Sequence, residues 1–309
     1  MRITAANAFA SSIKNLQTRQ QELSRQQDQL TSGKRVNSAS DDPVAAARAE
    51  RALAAMVRSE ANQRALEASR NVMQQAEAAM GDAGELIQQA RELVLNAGNG
   101  SFADSDRKSL ASALKGIRDQ LLSVSNRTDG AGSFVFAGQG TDSPPFVDTP
   151  TGVVYRGVQG RTDAPSDEPL PLSVDGAKTW LDAPAAVAGD PPLSVFGVLD
   201  RIIGELNTTG LAGDVIKQNV SKGVRDIDAL QNNVLSQRAA AGETLNRTDS
   251  VEARISAAKL AAQADRSLAE DLDMVKAISD FQSKQSGYDA ALKSYSLVQK
   301  VSLFDYISA

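Results

Sequence analysis

The 309-residue chain contains no cysteine and no histidine. The first absence removes disulfides, thiolate metal ligands and cysteine nucleophiles. The second removes imidazole ligands and every histidine-based catalytic triad. Aromatic residues make up only 4% of the chain, with a single Trp, against an apolar share of 41%. With many Ala, Gln, Ser and Leu, this is the composition of long helices rather than of a β-rich fold. The net charge of −5 gives no electrostatic reason to expect nucleic acid. No apolar run approaches the roughly 18 residues of a membrane span. The stretch Met1-Arg2-Ile3-Thr4 leads into Gln-rich helical text with no apolar signal core and no small-residue cleavage site. The protein is therefore expected either to stay in the cytosol or to leave by a route without a cleaved signal. The lack of cysteine suits both.

Proline is scarce outside one window: nine of the ten prolines lie between Pro144 and Pro192, together with Trp180. Helices cannot run through such a stretch. Its text changes to short β-like pieces, Ser133-Phe-Val-Phe136, Gly152-Val-Val-Tyr155 and Leu170-Pro-Leu-Ser-Val174, separated by Gly, Pro and Asp turn signals. Residues 134–200 also hold three Lys/Arg against nine Asp/Glu, so the acidity belongs to this segment. We read residues 135–200 as a small, acidic, β-rich domain inserted into a helical one.

On both sides the apolar period is helical, and in four places it is a heptad. Phe9, Leu16, Leu23 and Leu30 recur every seven residues, with Ile13, Gln20 and Gln27 at the alternate 4-3 positions. A second seam runs through Leu66, Met73, Met80, Ile87 and Val94, with Ala76, Ala83 and Ala90 three residues on, small enough for a neighbouring helix to approach closely. A third stripe is Leu110, Leu114, Ile117, Leu121 and Val124. The fourth, Met274, Ile278, Phe281, Gln285, Tyr288, Leu292 and Tyr295, again alternates four and three with Gln at one knob. Val220, Ile227 and Val234 extend helical character upstream of it.

The breaks are readable too. Thr31-Ser32-Gly33-Lys34 stops the first seam, and the next helix starts at Asp42-Pro43, where Asp accepts from orphan N–H groups and Pro lacks a donor that would be wasted. That helix, from about 43 to 95, spans roughly 80 Å at about 1.5 Å per residue. Asn96-Ala-Gly98-Asn99-Gly100 ends it. Gly81 and Gly84 inside it mark either a close contact or a tolerated weak point.

Enzyme signatures fail one by one. Ser-x-x-Lys begins at Ser11, Ser105, Ser112 and Ser256, which is background in a Ser-rich helical chain, and its supporting elements are missing. Gly130-Ala-Gly132-Ser-Phe-Val135 has Val where the third Gly of a dinucleotide fingerprint belongs, and no Gly-x-x-x-x-Gly-Lys occurs. Asp104-Ser-Asp106 starts like a calcium loop, but Lys108 and Ser109 stand where a ligand and a Gly are needed, so it reads as a helix N-terminus. Asp41-Asp42 likewise reads as capping. We expect no catalytic, cofactor-binding or metal-binding residue, and a structural protein rather than an enzyme.

A seam with Gln knobs is weakened, because a buried amide needs a partner. The terminal helices admit two readings: they pair with each other within a folded monomer, or they stay loose until packed against other subunits.

Several stretches are similar to known proteins. Leu30-Thr-Ser-Gly-Lys-Arg-Val-Asn-Ser-Ala-Ser-Asp-Asp-Pro-Val44 resembles the N-terminal signature of bacterial flagellins and hook-associated proteins. Arg91-Glu-Leu-Val-Leu-Asn-Ala-Gly-Asn-Gly100 followed by Asp106-Arg-Lys resembles the flagellin core helix and its turn. Gly132-Ser-Phe-Val-Phe-Ala-Gly138, Thr141-Asp-Ser-Pro-Pro-Phe146, Pro43 and the ending Ser302-Leu-Phe-Asp-Tyr-Ile307 are similar to the hook-filament junction branch of that family, while Asn37-Ser38-Ala39 is closer to flagellin. The match covers both helical flanks, about three quarters of the chain.

The resemblance implies a mainly α fold: an elongated helical coiled-coil bundle formed by both chain ends, with a small β-rich insert. Residues 1–35 plus 272–309 would form the inner terminal coiled coil, 36–134 plus 201–271 the helical core domain, and 135–200 the outer domain. Phe9, Ile13, Leu16, Leu23, Leu30, Met274, Ile278, Phe281, Tyr288, Leu292 and Tyr295 would pack against neighbouring subunits. The chain would be exported unfolded through the flagellar type III channel, held beforehand by a chaperone on its C-terminal helix. In the extracellular flagellum it would self-associate in a ring or helical layer, meeting another hook-associated protein on the hook side and flagellin on the filament side, with neither nucleic acid nor membrane as partner. Two other readings stay open: a short flagellin forming the filament itself, and a cytosolic coiled-coil adaptor whose ends pair permanently.

Overall fold

The computed structural model describes residues 2–130, 132–140, 143–187 and 189–307, and the side chains of 7, 9–130, 132–140, 143–187 and 189–297. Thr141 and Asp142, quoted above within a motif, lie outside the described residues, as do the side chains of 302–307. Seven helices are present among the described residues: α1 (Arg2–Ser32), α2 (Pro43–Ala97), α3 (Asp104–Ser125), α4 (Gly176–Trp180), α5 (Val195–Asn207), α6 (Gly213–Glu270) and α7 (Met274–Ile307). Two strands, β1 (Phe146–Thr149) and β2 (Gly152–Tyr155), form one antiparallel hairpin with Phe146 opposite Tyr155 and Thr149 opposite Gly152. The fold is mainly α, with the strands confined to the Pro-rich segment. The chain divides into two compact units, Met1–Ser59 with Ala257–Ala309, and Glu60–Ser256. The first is called here the terminal unit and the second the central unit.

The central unit carries the large core. Met73, Met80, Ile87 and Val94 on α2 are buried together with Ala76, Ala83 and Ala90, the face read from the heptad. Packed in the same cluster are Leu114 and Leu121 of α3, Phe196, Leu199 and Ile202 of α5, and Ile227, Leu230 and Val234 of α6. At about 1.5–3 kcal/mol for each large side chain removed from water, a cluster of this size is the main favourable term for the unit. Gly81 and Gly84 do not mark tight contacts: a Cβ would meet Arg238 at 3.6 Å and Gln231 at 3.5 Å, ordinary packing distances.

The Pro-rich segment joins this core. Phe136 meets Trp180 edge to face at 5.1 Å, and Phe146 lies 5.0 Å from Tyr155 and 6.2 Å from Phe196. Of the three β-like pieces, 152–155 forms a strand, whereas 133–136 and 170–174 contribute isolated bridges, Thr128 to Phe134 and Asp163 to Pro171. At Gly138 a φ of 68° turns the chain so that a Cβ would stand 1.8 Å from the Val158 carbonyl oxygen. Only glycine fits there, and the close approach lets Gln139 N–H donate to that same oxygen at 2.9 Å. The segment is held to the helices by Arg118 of α3. Its buried guanidinium donates to both oxygens of Asp148 on β1 at 2.7 and 2.8 Å and to Asp200 of α5. A bidentate pair of this kind fixes orientation as well as adding energy. These contacts hold the Asp148 carboxyl below its ordinary range and raise the Arg118 guanidinium further.

The terminal unit is built differently. On the described parts of α2 and α6 that belong to it, the buried side chains are Ala45, Ala49, Ala52, Ser59, Ala262 and Ala269, while Val44, Val57, Leu260 and Leu268 are exposed. An alanine methyl removes little apolar area from water, so this unit gains little from its own core.

Candidate assembly interface

The sequence read as the family signature forms the joint that sets α1 beside α7. α1 ends where Gly33, at φ 70°, donates its N–H to the Gln29 carbonyl at 2.9 Å. The chain is then stitched to the α6–α7 connection: Arg35 N–H donates to Glu270 O at 2.7 Å, Leu272 N–H to Gly33 O at 3.0 Å, and the Arg35 guanidinium to Ala269 O at 2.8 Å. Lys34 Nζ reaches Glu270 at 3.2 Å. Asp41 accepts from the backbone N–H groups of Asn37 and Ser38 and from the Ser38 hydroxyl. Asp42 caps α2 by accepting from Val44 and Ala45 N–H at 3.1 and 3.0 Å, and pairs with Arg35. The Ser38 hydroxyl holds the Asp41 carboxyl below its ordinary range, and the Ala45 N–H does the same for Asp42. Asp42 is a capping group, as read, whereas Asp41 closes the turn at residues 37–41 and caps no helix. Asp273 starts α7 by accepting from Lys276 N–H at 3.1 Å. On the central unit, Asp106 accepts from Ala103 N–H at 2.8 Å at the start of α3, so the calcium-like Asp104-Ser-Asp106 is a helix N-terminus.

From this joint α1 and α7 run antiparallel. Gln26 meets Lys284, Gly287 lies against the Arg19 guanidinium, and Phe9 meets Tyr295 edge to face at 6.1 Å. The two ends thus pair within one chain, as the first of the two readings expects, but the pair closes only one side of each helix. Phe9, Leu16, Leu23 and Leu30 are half-buried, as are Phe281, Tyr288 and Tyr295. The other packing candidates lie open: Ile13 is 43% exposed, Met274 44%, Ile278 46% and Leu292 40%. Gln20, Gln27 and Gln285, read as seam knobs, are exposed as well.

The heptad reading missed the Gln26–Lys284 bond between the helices, and on the same line of α7 as Lys284 stand the buried Ala277 and the half-buried Ala291. On both helices the seven-residue line is shared by two faces. The alternation three-then-four from Leu23 leads to Gln26, towards α7. The alternation four-then-three leads to Gln27, towards open solvent. A line of period seven on a 3.6-residue helix leaves both choices available, and the sequence reading took the outer one.

Elsewhere, a small cavity lies in the central unit between Val94, Arg107, Ile202, Leu206, Ile216 and Val220, with room for about one water at roughly 20 Å³. The buried Arg107 Nε beside it has no acceptor among the described residues.

Comparisons with known proteins show the family and the fold. Residues 3–141 match the model of the bacterial flagellin N-terminal helical region. The chain is 30% identical to flagellar hook-associated protein 3 of Salmonella typhimurium, over 98% of this chain and 99% of that one. It is 24% identical to flagellin of Bacillus subtilis, over 91% of this chain and 90% of that one. The fold is shared with the flagellar junction protein FlgL of Legionella pneumophila, at a TM-score of 0.56 and 16% identity over 62% of this chain and 95% of the other. The resemblance first visible at residues 30–44 therefore extends along the whole sequence, and the chain belongs to the family of flagellar hook-associated protein 3.

Proposed function

We propose that this chain is the structural subunit joining hook to filament in a bacterial flagellum, working by packing and not by catalysis. The observation that carries the reading is the open second face of the terminal pair. Ile13, Met274, Ile278 and Leu292 stand in water at 40–46% exposure, each on a helix whose other side is already occupied. Covering one such side chain fully is worth about 1.5–3 kcal/mol, and a row of them favours association with further copies of the same helices. Adjacent copies would meet head to tail, so that one interface repeats along a helical or ring-like layer.

In this reading Phe9, Leu16, Leu23, Leu30, Phe281, Tyr288 and Tyr295 serve both the partner helix and the neighbouring subunit, whereas Ile13, Met274, Ile278 and Leu292 serve the neighbour alone. Flagellin continues the layer on the filament side and another hook-associated protein precedes it on the hook side. The chain reaches that place by unfolded export, with its C-terminal helix covered beforehand by a chaperone, and it ends outside the cell. A chain without disulfides suits passage in an unfolded state.

Replacing Leu23 by Asp buries a charge in every copy of the layer. Expected are loss of incorporation into flagella and an unchanged circular dichroism melt of the central unit. Normal incorporation of Leu23→Asp would sink the reading. Addition of purified protein to hook fragments that carry the preceding hook-associated protein separates it from a flagellin role: a junction subunit caps the fragments and stops, and a filament subunit grows from them.

A further inference from the structure

Gln26 is the one fully buried side chain among the described residues of α1, at 8% exposure, and it is polar. Its amide oxygen accepts from Nζ of the otherwise exposed Lys284 at 2.8 Å, so the contact is part-buried. The joint between Gly33–Arg35 and Glu270–Leu272 fixes where α7 begins, but farther along the helices the apolar part of the same face cannot by itself keep α7 aligned with α1. Leu16, Leu23 and Leu30 recur every seven residues, and so do Met274, Phe281, Tyr288 and Tyr295 split by that same period. Sliding α7 by seven residues, about 10 Å, would return one large side chain to the level of another and leave the apolar line filled. The Gln26–Lys284 contact does not repeat in this way. Seven residues before and after Lys284 stand Ala277 and Ala291, neither of which carries a donor. After a slip in either direction the Gln26 amide would face a methyl group, and a buried polar group without its partner is costly.

We propose that Gln26 and Lys284 are a positioning pair that selects the register of α1 against α7, at some cost in stability. A single polar contact in an otherwise apolar helix seam is known to act in this way. The register matters because it determines which open residues stand side by side: Ile13 and Gln20 on one helix, Ile278, Gln285 and Leu292 on the other. The consequence for assembly rests on the preceding reading of that face; the register selection itself does not.

The native chain has no cysteine, so introduced pairs report without background. Three full-length variants are compared with a short bis-maleimide: Arg19→Cys with Gly287→Cys at the native level, and Arg19→Cys with Asp280→Cys or with Ser294→Cys, one heptad to either side. Even transient pairing in the isolated chain is trapped by this chemistry. With Gln26 and Lys284 intact, the native pair should couple about tenfold faster than either shifted pair, the discrimination expected when the buried Gln26 amide loses its partner. Adding Gln26→Leu and Lys284→Leu should bring the three rates within about twofold while the helices associate at least as tightly. Gln26→Glu, which keeps an acceptor for Lys284, should retain the native preference. An undiminished preference in the leucine variant, or no preference in the native one, would overturn the proposal. Because the rates are read on the isolated chain, they stand or fall separately from the incorporation of Leu23→Asp into flagella.

Discussion

The long seam of α2 and the seams of α1 and α7 are written in the same seven-residue text and reach different ends. Along α2, Met73, Met80, Ile87 and Val94 are buried within one chain, covered by α3, α5, α6 and the aromatic side chains of the Pro-rich segment. Along α1 and α7 the same kind of row is half-buried, with Ile13, Ile278 and Leu292 open. What differs is the other residue of each repeat. On α2 it is Ala76, Ala83 and Ala90, which lets neighbours close on the row. On α1 it is Ser12, Arg19 and Gln26 and on α7 Ala277, Lys284 and Ala291, so long polar side chains interrupt the row, and the apolar residues four on, Ile13, Ile278 and Leu292, are left uncovered by a single partner helix. A heptad therefore states that a helix will be packed, and its companion residues state whether the chain itself supplies all the packing.

Equivalent truncations should break the comparison most strongly. Leu121→Ala opens a cavity in the closed core of the central unit and should cost about 2–5 kcal/mol in urea unfolding of the purified chain. Leu16→Ala, on the half-open seam, should cost less than about 1 kcal/mol by the same measurement, because the truncated atoms are already partly in water. Similar costs at both sites would mean that the terminal pair is closed in the monomer.

A smaller effect is expected where the Pro-rich segment is tied to the helices. Arg118→Met leaves Asp148 and Asp200 without their shared cation. Since both carboxylates are about two-fifths exposed, the loss at pH 7 should be modest, about 1–2 kcal/mol. Asp148 is held below its ordinary value of 3.8 by Arg118, so its contribution is complete above that value and lost as the pH falls through the lowered one. The gap between native and variant stability should thus narrow as the pH drops below about 4. A gap that stays constant down to pH 2 would show that this carboxylate is not the linked group.

The existence of these elements was largely legible. The stops at Ser32 and Ala97, the starts at Pro43 and Asp104, and the α2 face followed from caps, turn residues and the heptad. The closing face of α1 was not, because Gln26 and Gln27 are adjacent on a helix whose leucine line borders both faces, and only the position of α7 chooses between them. The Arg118 knot was equally hidden, since its partners lie 30 and 82 residues away and no local pattern links them. The Pro-rich segment read as strands where it holds one hairpin. Its backbone satisfies many of its hydrogen bonds through single bridges and close glycine contacts, which carry no period.

The smallest expected effects refine the meaning of the helical glycines. Nothing lies within 4 Å of a Cβ added at Gly116 or Gly242, and alanine there should raise stability by about 0.5–1 kcal/mol. At Gly223 the same Cβ would stand 3.2 Å from Ile202 Cδ1 and 3.3 Å from Val94 Cγ1. Gly223→Ala should therefore forfeit that gain in thermal unfolding, separating a glycine of close packing from glycines of no consequence.

The most direct test is hydrogen exchange on the purified monomer, comparing residues 9–32 and 274–297 with 66–94 and 110–124. Amides of the two terminal stretches should exchange orders of magnitude faster than those of the central helices, and slow markedly once the protein is incorporated into flagella. Equal and slow exchange in all four stretches of the free monomer would contradict the claim that the terminal seams are left for neighbouring subunits to complete.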